Sequence, residues 1–350
     1  MRVPSIAFLI FSSALLAAAQ ASTPESIRDP RALLAAAAPL YDFANPALKP
    51  WHLKAAYQIY DQDGNPGEEG TWEYWWASPD LYRNTWTRGA LVESQWHMPV
   101  GNRAEVSSGT LHLFETSFPA ELFTPLPDLA KIAAPPAWLE RFDLPSGKAK
   151  VPCVRALTRQ ILPQPGGIPR DEVLNTWCFD PKVPIVLFKS EASNGRSETY
   201  GNFARFQDRT LPRTFLESVN GRKLLSASID VLGSLDPADP ALTPPTDART
   251  QSILQMQVPS GIMLGNRIKA PNPEYPLKAK LAHLAGTVII EAQIGKDGKI
   301  KDIEVVSTPG PLLTDSAVKA VSQWEYRPYQ LNGQPIDVRT TINVTYALGS

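Results

Sequence analysis

Thirty-four of the 350 residues are proline, close to twice the usual ~5%, and that excess constrains the fold more than any other feature. Proline lacks a backbone N–H and clashes with the preceding turn, so helix interiors reject it. The chain cannot be a helix bundle or coiled coil throughout, and its prolines belong in turns, linkers and strand ends. A hydrophobic content of 43% supports packed cores, while 34 Lys+Arg against 35 Asp+Glu leave a net charge of −1. These values exclude a wholly disordered chain and give no basic excess for a nucleic-acid partner. The length suits about two or three domains of ~100–200 residues each.

Arg2 precedes an apolar run, Ile6–Leu16, and Ala19-Gln20-Ala21 supplies small residues before Ser22. This is the layout of a cleavable secretory signal over residues 1–21. The run is about 11 residues, whereas a spanning helix needs ~20. Extension through Ala17–Ala21 gives the alternative, an uncleaved inner-membrane anchor facing the periplasm. Export permits disulfides. Cys153 and Cys178 lie in strand-like runs joined by a Pro/Gly-rich connection. They read either as a bridge worth about 3 kcal/mol or as two buried thiols. Two cysteines without nearby histidines do not complete a metal site.

Residues 22–234 read as a β-rich domain. Asp29-Pro30 opens a short helix over Arg31–Leu40. Strand patterns follow at Trp51–Tyr60, Thr71–Ala77, Leu81–Thr87 and Ala90–His97, spaced by turn residues as in an antiparallel meander. Phe118–Phe142 reads as irregular to helical. Strands resume at Ala149–Ile161, Glu172–Phe179, Ile185–Ser190, Tyr200–Asp208, Arg213–Val219 and Lys223–Val231, with Asn220-Gly221 a hairpin turn between the last two. Residues 235–258, carrying Pro237, Pro240, Pro244 and Pro245, read as a proline-rich linker.

Residues 259–350 form a compact unit. Strands are expected at Thr287–Ile294 and Ile300–Val306 around a turn at Lys296-Asp297-Gly298. Thr314 reads as the cap of a helix whose apolar face is Ala317, Ala320, Val321 and Trp324. In the last strand Val338, Thr340, Ile342, Val344, Tyr346 and Leu348 face one way, and Arg339, Thr341, Asn343 and Thr345 the other. Helix cover on one face is the expectation.

The unit carries, in order, Pro273-Glu274-Tyr275-Pro276, Ala285-Gly286-Thr287-Val288, Asp297-Gly298-Lys299-Ile300, Ala317-Val318-Lys319-Ala320, Trp324-Glu325-Tyr326-Arg327-Pro328 and Asn332-Gly333-Gln334-Pro335. This succession over about 90 residues resembles the TonB C-terminal domain. The resemblance implies a three-stranded antiparallel sheet with one helix, set in a cell-envelope protein. It also implies capture of an extended segment of an outer-membrane or envelope partner by strand addition. Val338, Arg339, Thr340, Thr341, Ile342, Asn343, Val344, Thr345 and Tyr346 are the expected edge, because a terminal strand offers unpaired N–H and C=O groups. The other reading places this strand inside the sheet or under the N-terminal domain. An exposed edge also allows a homodimer by edge pairing. Pro273, Tyr275, Pro276, Gly286, Asp297, Gly298, Trp324, Pro328, Asn332 and Gly333 read as fold-determining. Energy-transducing TonB proteins keep a membrane helix followed by a Pro/Lys/Glu-rich spacer. Here the leader has Ser12-Ser13 and no histidine, and the proline-rich stretch follows the β domain. Energised transmembrane transport is therefore an alternative that holds only with an uncleaved leader.

The N-terminal region, through Trp72-Glu73-Tyr74-Trp75-Trp76, Ser78-Pro79-Asp80-Leu81-Tyr82-Arg83 and Thr210-Leu211-Pro212-Arg213, more faintly resembles the LolA-like lipoprotein-carrier fold, an antiparallel half-barrel. The expected class is thus α+β. Trp72, Tyr74 and Trp76 share one strand face. They either line an apolar cavity for a lipid or lipoprotein acyl chain or form the core under a curved sheet.

Catalytic motifs are not found in the sequence. His52, His97, His112 and His283 make no His-Glu-x-x-His pattern, and His97 and His112 read as structural. Asp61, Asp63 and Asn65 open like a calcium loop, but Pro66 and Trp72 stand where glycine and a bidentate glutamate are required. Gly166-Gly167 reads as a turn rather than a phosphate cradle. The expectation is a non-enzymatic protein without cofactor or metal.

Overall fold

The computed structural model describes residues 23–61, 63–106, 111–128, 137–146, 149–160, 170–192, 195–250, 256–257, 263, 265–331 and 334–348. The leader, Gly166-Gly167, Asn332 and Gly333 lie outside the described residues.

The N-terminal lobe begins at α1 (Pro30–Ala37). The Asp29 carboxylate accepts the Arg31 N–H at 3.0 Å, and Pro30 takes the first helical position, where no N–H is needed. A 3₁₀ turn, Ala38–Tyr41, follows. Then come β1 (Trp51–Tyr60), β2 (Pro66–Ser78), β3 (Leu81–Arg88), β4 (Leu91–His97), β5 (Arg103–Val106) and helix α2 (Leu113–Phe123). The lobe continues through β6 (Trp138–Ser146), β7 (Ala149–Gln160), β8 (Arg170–Phe179), β9 (Val186–Glu191) and β10 (Arg196–Gly201). A ribbon of β11 (Ala204–Phe206) and β12 (Arg209–Leu211) precedes β13 (Thr214–Val219) and β14 (Arg222–Ser234). With β15 (Arg249–Thr250), thirteen strands among the described residues make one sheet in the order β15-β5-β4-β3-β2-β1-β14-β13-β10-β9-β8-β7-β6.

The sequence reading missed β6 and placed α2 too late. Pro119 lies inside α2 and removes the amide that would bond the Glu115 carbonyl. That carbonyl instead accepts the Trp86 indole N–H at 3.1 Å, so the helix survives because the sheet supplies the missing donor. The expected Tyr200–Asp208 strand is divided between β10 and β11, with Asn202 and Gln207 in the left-handed region.

Alternation along β1 sends Trp51, Leu53, Ala55 and Tyr57 into the core. There they meet Leu33 and Leu34 of α1 and Phe118 and Leu122 of α2. Cys153 of β7 and Cys178 of β8 are directly paired across the ladder and joined by a disulfide.

The proline-rich stretch is not a free spacer. Leu242 is buried, and the Ala241 carbonyl accepts the Trp96 indole N–H at 2.9 Å and an Arg83 N–H at 3.3 Å. β15 then extends the large sheet at β5. The prolines fix the segment's extended shape, and the exposed strand edge gives its backbone partners.

The C-terminal unit contains β16 (Met256–Gln257), β17 (Arg267–Lys269), α3 (Leu277–Leu281), β18 (Gly286–Ile294), β19 (Ile300–Ser307), α4 (Pro311–Val321), β20 (Glu325–Tyr326), β21 (Gln330–Leu331), β22 (Gln334–Pro335) and β23 (Val338–Tyr346). Among the described residues its main sheet has four strands, in the order β16-β23-β18-β19, and more than one helix accompanies it. This corrects the expected three strands and one helix. β16 comes from the stretch read as linker and pairs parallel to β23, a relation that hydrophobic alternation does not report.

α4 starts at Pro311 after Gly310, because proline suits the first helical position. Thr314 sits inside the helix, its hydroxyl on the Gly310 carbonyl at 3.1 Å. Trp324 follows the helix end rather than riding on its face. Its indole N–H donates to the Pro271 carbonyl at 3.1 Å, and Arg267 lies 4.8 Å over its ring. Val288, Ile290, Ala292 and Ile294 of β18, with Val338, Ile342 and Val344 of β23, pack under Leu313, Ala317 and Val321 of α4.

Candidate functional site

β23 is not the last strand of its sheet. Met256 pairs with Val338 and Gln257 with Arg339 on its outer side, and β18 pairs along its full inner side from Gly286↔Tyr346 to Ile294↔Val338. The expectation that Val338–Tyr346 forms an open edge therefore fails at its first two residues. Among the described residues, β19 forms the other end of the sheet and pairs only with β18. Val338, Thr340, Ile342, Val344 and Tyr346 face the α4 side and are buried, while Leu348 lies beyond the strand, 39% exposed.

The opposite face of this sheet meets the N-terminal lobe. Ile289 joins the larger core, and the Arg339 guanidinium donates to the Leu111 carbonyl at 2.5 Å and to Glu291 at 3.3 Å. His112, the N-cap of α2, places Nδ1 at 2.5 Å from Glu304 of β19. The Glu115 carboxylate, fully buried, accepts the His112 N–H at 2.7 Å, the Tyr57 hydroxyl at 2.7 Å and the Arg88 Nε–H at 3.0 Å. Burial alone would lower the His112 pKa, but the hydrogen bond and the charge of Glu304 raise it above its ordinary value. Burial pushes Glu304 upward, but His112 holds it below the usual carboxylate range. Burial raises Glu93 beside this cluster.

The family-motif residues have structural tasks. The Tyr275 hydroxyl donates to the Leu284 carbonyl at 2.7 Å, and its ring meets Tyr346 edge-on at 5.3 Å. Pro276 is the N-cap residue of α3. Gly286 has φ +138°, and a side chain there would meet Pro309. The Asp297 carboxylate accepts the Lys299 N–H at 3.1 Å and the Lys301 ammonium at 2.8 Å, closing the β18–β19 turn. Gly298 lies against the Tyr326 carbonyl and Pro328. Pro273 lies in the extended lead-in to α3.

The aromatic stripe faces rings. Trp72 and Trp76 are buried, and Trp72 meets Phe118 at 5.3 Å and Phe123 at 5.6 Å. Tyr74 meets Phe123 at 5.3 Å, and Trp51 meets the same ring at 5.5 Å. α2 therefore fills the space in front of the stripe. A cleft of about 780 Å³ is lined by residues including Gln58, Tyr60, Thr71, Leu216 and Lys223, and by none of the three stripe residues.

The calcium-like stretch is a turn, with Asp61 accepting the Asp63 and Asn65 backbone N–H groups at 2.9 and 2.8 Å. Sequence reasoning missed the grouping of His112, Glu291, Glu304 and Arg339. Its only local signal is a charged residue, Glu291, inside the otherwise apolar run Val288–Ala292.

A helix-backed mixed sheet joined to a large β lobe through a buried polar cluster defines a two-lobed α+β chain. Residues 271–348 match the family described as Gram-negative bacterial TonB protein C-terminal. Protein TonB of Vibrio cholerae serotype O1 is 31% identical over 77 residues, 22% of this chain and 32% of that protein, so the chain spans about a third of that relative's length.

Among solved structures, a LolA superfamily protein from Nitrosomonas europaea is similar at a TM-score of 0.29 and 7% identity, over 62% of this chain and 98% of that one. A candidate outer membrane lipoprotein-sorting protein domain from Vibrio parahaemolyticus is similar at 0.36 and 8% identity, over 59% and 93%. Both similarities are too weak to carry an argument about this chain. Among the described residues no helix is long and apolar enough to cross a membrane.

Proposed function

We propose that this chain is a non-enzymatic cell-envelope protein whose C-terminal module binds an extended segment of an envelope or outer-membrane partner by strand addition on the outer side of β23. One observation carries the reading. That side of β23 already receives a strand, β16, through the pairs Met256↔Val338 and Gln257↔Arg339. A ladder that accepts one extended backbone presents the geometry a guest requires, with main-chain hydrogen bonds giving affinity and alternate side chains giving selectivity. The guest takes the place of β16. The family match over residues 271–348 supports the same reading. In this function the N-terminal lobe is the platform, since Arg339 and Ile289 hold the module against it.

The test is titration of the isotope-labelled full chain with extended peptides copied from outer-membrane receptor segments. Amide shifts are expected along Thr340–Tyr346 and at Met256 and Gln257. A peptide N-methylated at alternate residues should bind far more weakly, because it cannot complete the ladder. Equal binding of the methylated peptide, or shifts confined to β19, would overturn the reading. N-terminal sequencing of cell-derived protein separates a periplasmic resident, beginning at Ser22, from an anchored transducer that keeps its leader.

A further inference from the structure

We propose that His112, Glu291 and Glu304 form a binding site for a first-row divalent cation such as Zn²⁺, placed so that the ion bridges the two lobes. His112 comes from the N-terminal lobe, while Glu291 and Glu304 come from β18 and β19 of the C-terminal sheet. One ligand atom from each, the imidazole nitrogen and two carboxylate oxygens, lies within 4.8 Å of the other two. Two oxygens and an imidazole nitrogen are an established donor set for such ions, with solvent completing the coordination.

The strand register adds an independent argument. Glu291 and Glu304 are paired directly across the β18–β19 ladder, and like charges directly opposite destabilise a sheet. Glu291 is 4% exposed, so water screens it little, and without an ion the repulsion is offset by Arg339 on Glu291 and His112 on Glu304. Arg339 meets one of the two carboxylates, Glu291, at 3.3 Å. Glu93 and Glu115 add negative charge to the same neighbourhood.

His112 is also held in place for the role. It caps α2, its backbone N–H is fixed by Glu115 at 2.7 Å, and its ring stacks on Phe114 at 4.9 Å. On binding, the Nδ1 proton passes to solvent, and the ion replaces the direct His112–Glu304 contact with coordinate bonds to both residues and with a third bond to Glu291. No electron transfer is involved.

The experiment is calorimetric titration of chelator-treated full-length protein with Zn²⁺, and with Co²⁺ followed by visible absorption. One equivalent should bind with a dissociation constant in the micromolar range or below. His112→Ala and Glu304→Gln should each weaken binding by about tenfold or more, and His283→Ala should not change it. No saturable binding, or binding unaltered by both substitutions, would overturn the site. Should either variant lose its cooperative thermal transition, the unsubstituted protein gives the answer. Mn²⁺ should broaden the amide signals of His112, Glu291 and Glu304 first, and broadening centred elsewhere rejects the proposal.

Discussion

Glu198 of β10 and Glu217 of β13 stand directly opposite one another in antiparallel register, and both are buried in the N-terminal lobe. Arg196 pairs with Glu217, and Lys189 with Glu121 of α2. Tyr200 is close enough to feel these charges. Three carboxylates therefore share two cations, and Glu198 Oε2 has no hydrogen-bond partner among the described residues. Burial first, then Glu121 and Glu217, push the Glu198 pKa up to about 8, against the opposing pull of Lys189 and Arg196. The folded protein thus keeps a proton that the unfolded chain releases near pH 4.5. This contribution to stability is complete below about pH 4.5 and is lost as pH rises through about 8. Glu198→Gln should melt like the parent near pH 4.5 and be more stable above pH 8, by on the order of 1–3 kcal/mol. Thermal denaturation across that range checks it, and equal destabilisation at every pH would contradict the assignment.

The disulfide joins two strands that already share a ladder, Cys153 on β7 and Cys178 on β8. The closed loop has a sequence separation of 25 residues, so restriction of the unfolded chain favours the bonded form by about 3 kcal/mol. The double variant Cys153→Ala, Cys178→Ala should lose about 2–4 kcal/mol in urea denaturation. A loss below about 0.5 kcal/mol would mean that the unfolded chain gains little freedom when the bond is removed.

Much of this architecture was legible because its signals are local. β1 runs over Trp51–Tyr60, as its alternation predicts, and the Gly286–Ile294 and Ile300–Ser307 strands flank the turn at Asp297-Gly298. What was not legible depends on partners distant in sequence. The helix at Leu113–Phe123 contains Pro119, which local rules read as a break, and Trp86 repairs it from another strand. Met256–Gln257 has too few residues to show a period, yet it lies outside β23 and occupies the first two positions of the edge that the final strand's own pattern suggests. The lobe junction joins Leu111–His112 to residues near the other end of the chain, Glu304 and Arg339. A single sequence has no periodic signal for such a pairing.

The aromatic stripe offers a quantitative check on how the N-terminal lobe is filled. Trp72 is 0% exposed, its rings contact Phe118 and Phe123, and its indole N–H donates to the Asn84 side-chain oxygen at 3.0 Å. Trp72→Ala should cost about 3–5 kcal/mol, the range for truncating a large aromatic in a packed core. If Trp72 instead lined an open chamber, its removal would leave no new void and cost little. A measured cost under about 1 kcal/mol would therefore favour the chamber.

Gly298 occupies a position that only glycine fits without strain. It sits in the β18–β19 turn at φ +77°, a conformation that side chains rarely adopt. Its N–H is bonded to Gly295 O at 2.8 Å, and its own carbonyl accepts the Tyr326 N–H at 2.8 Å. A Cβ here would lie 1.9 Å from the Tyr326 carbonyl oxygen, which is backbone and cannot rotate away. Gly298→Ala therefore imposes both backbone strain and a collision, and relief requires β20 to move off the turn. The expected cost is about 2–4 kcal/mol, read as earlier unfolding of the C-terminal unit in hydrogen exchange along β18 and β19. Gly89→Ala is the matched control, because Gly89 also has positive φ, at +56°, but nothing lies within 4 Å of its added carbon. That substitution should cost only about 1 kcal/mol, and the difference between the two variants measures the collision apart from the strain.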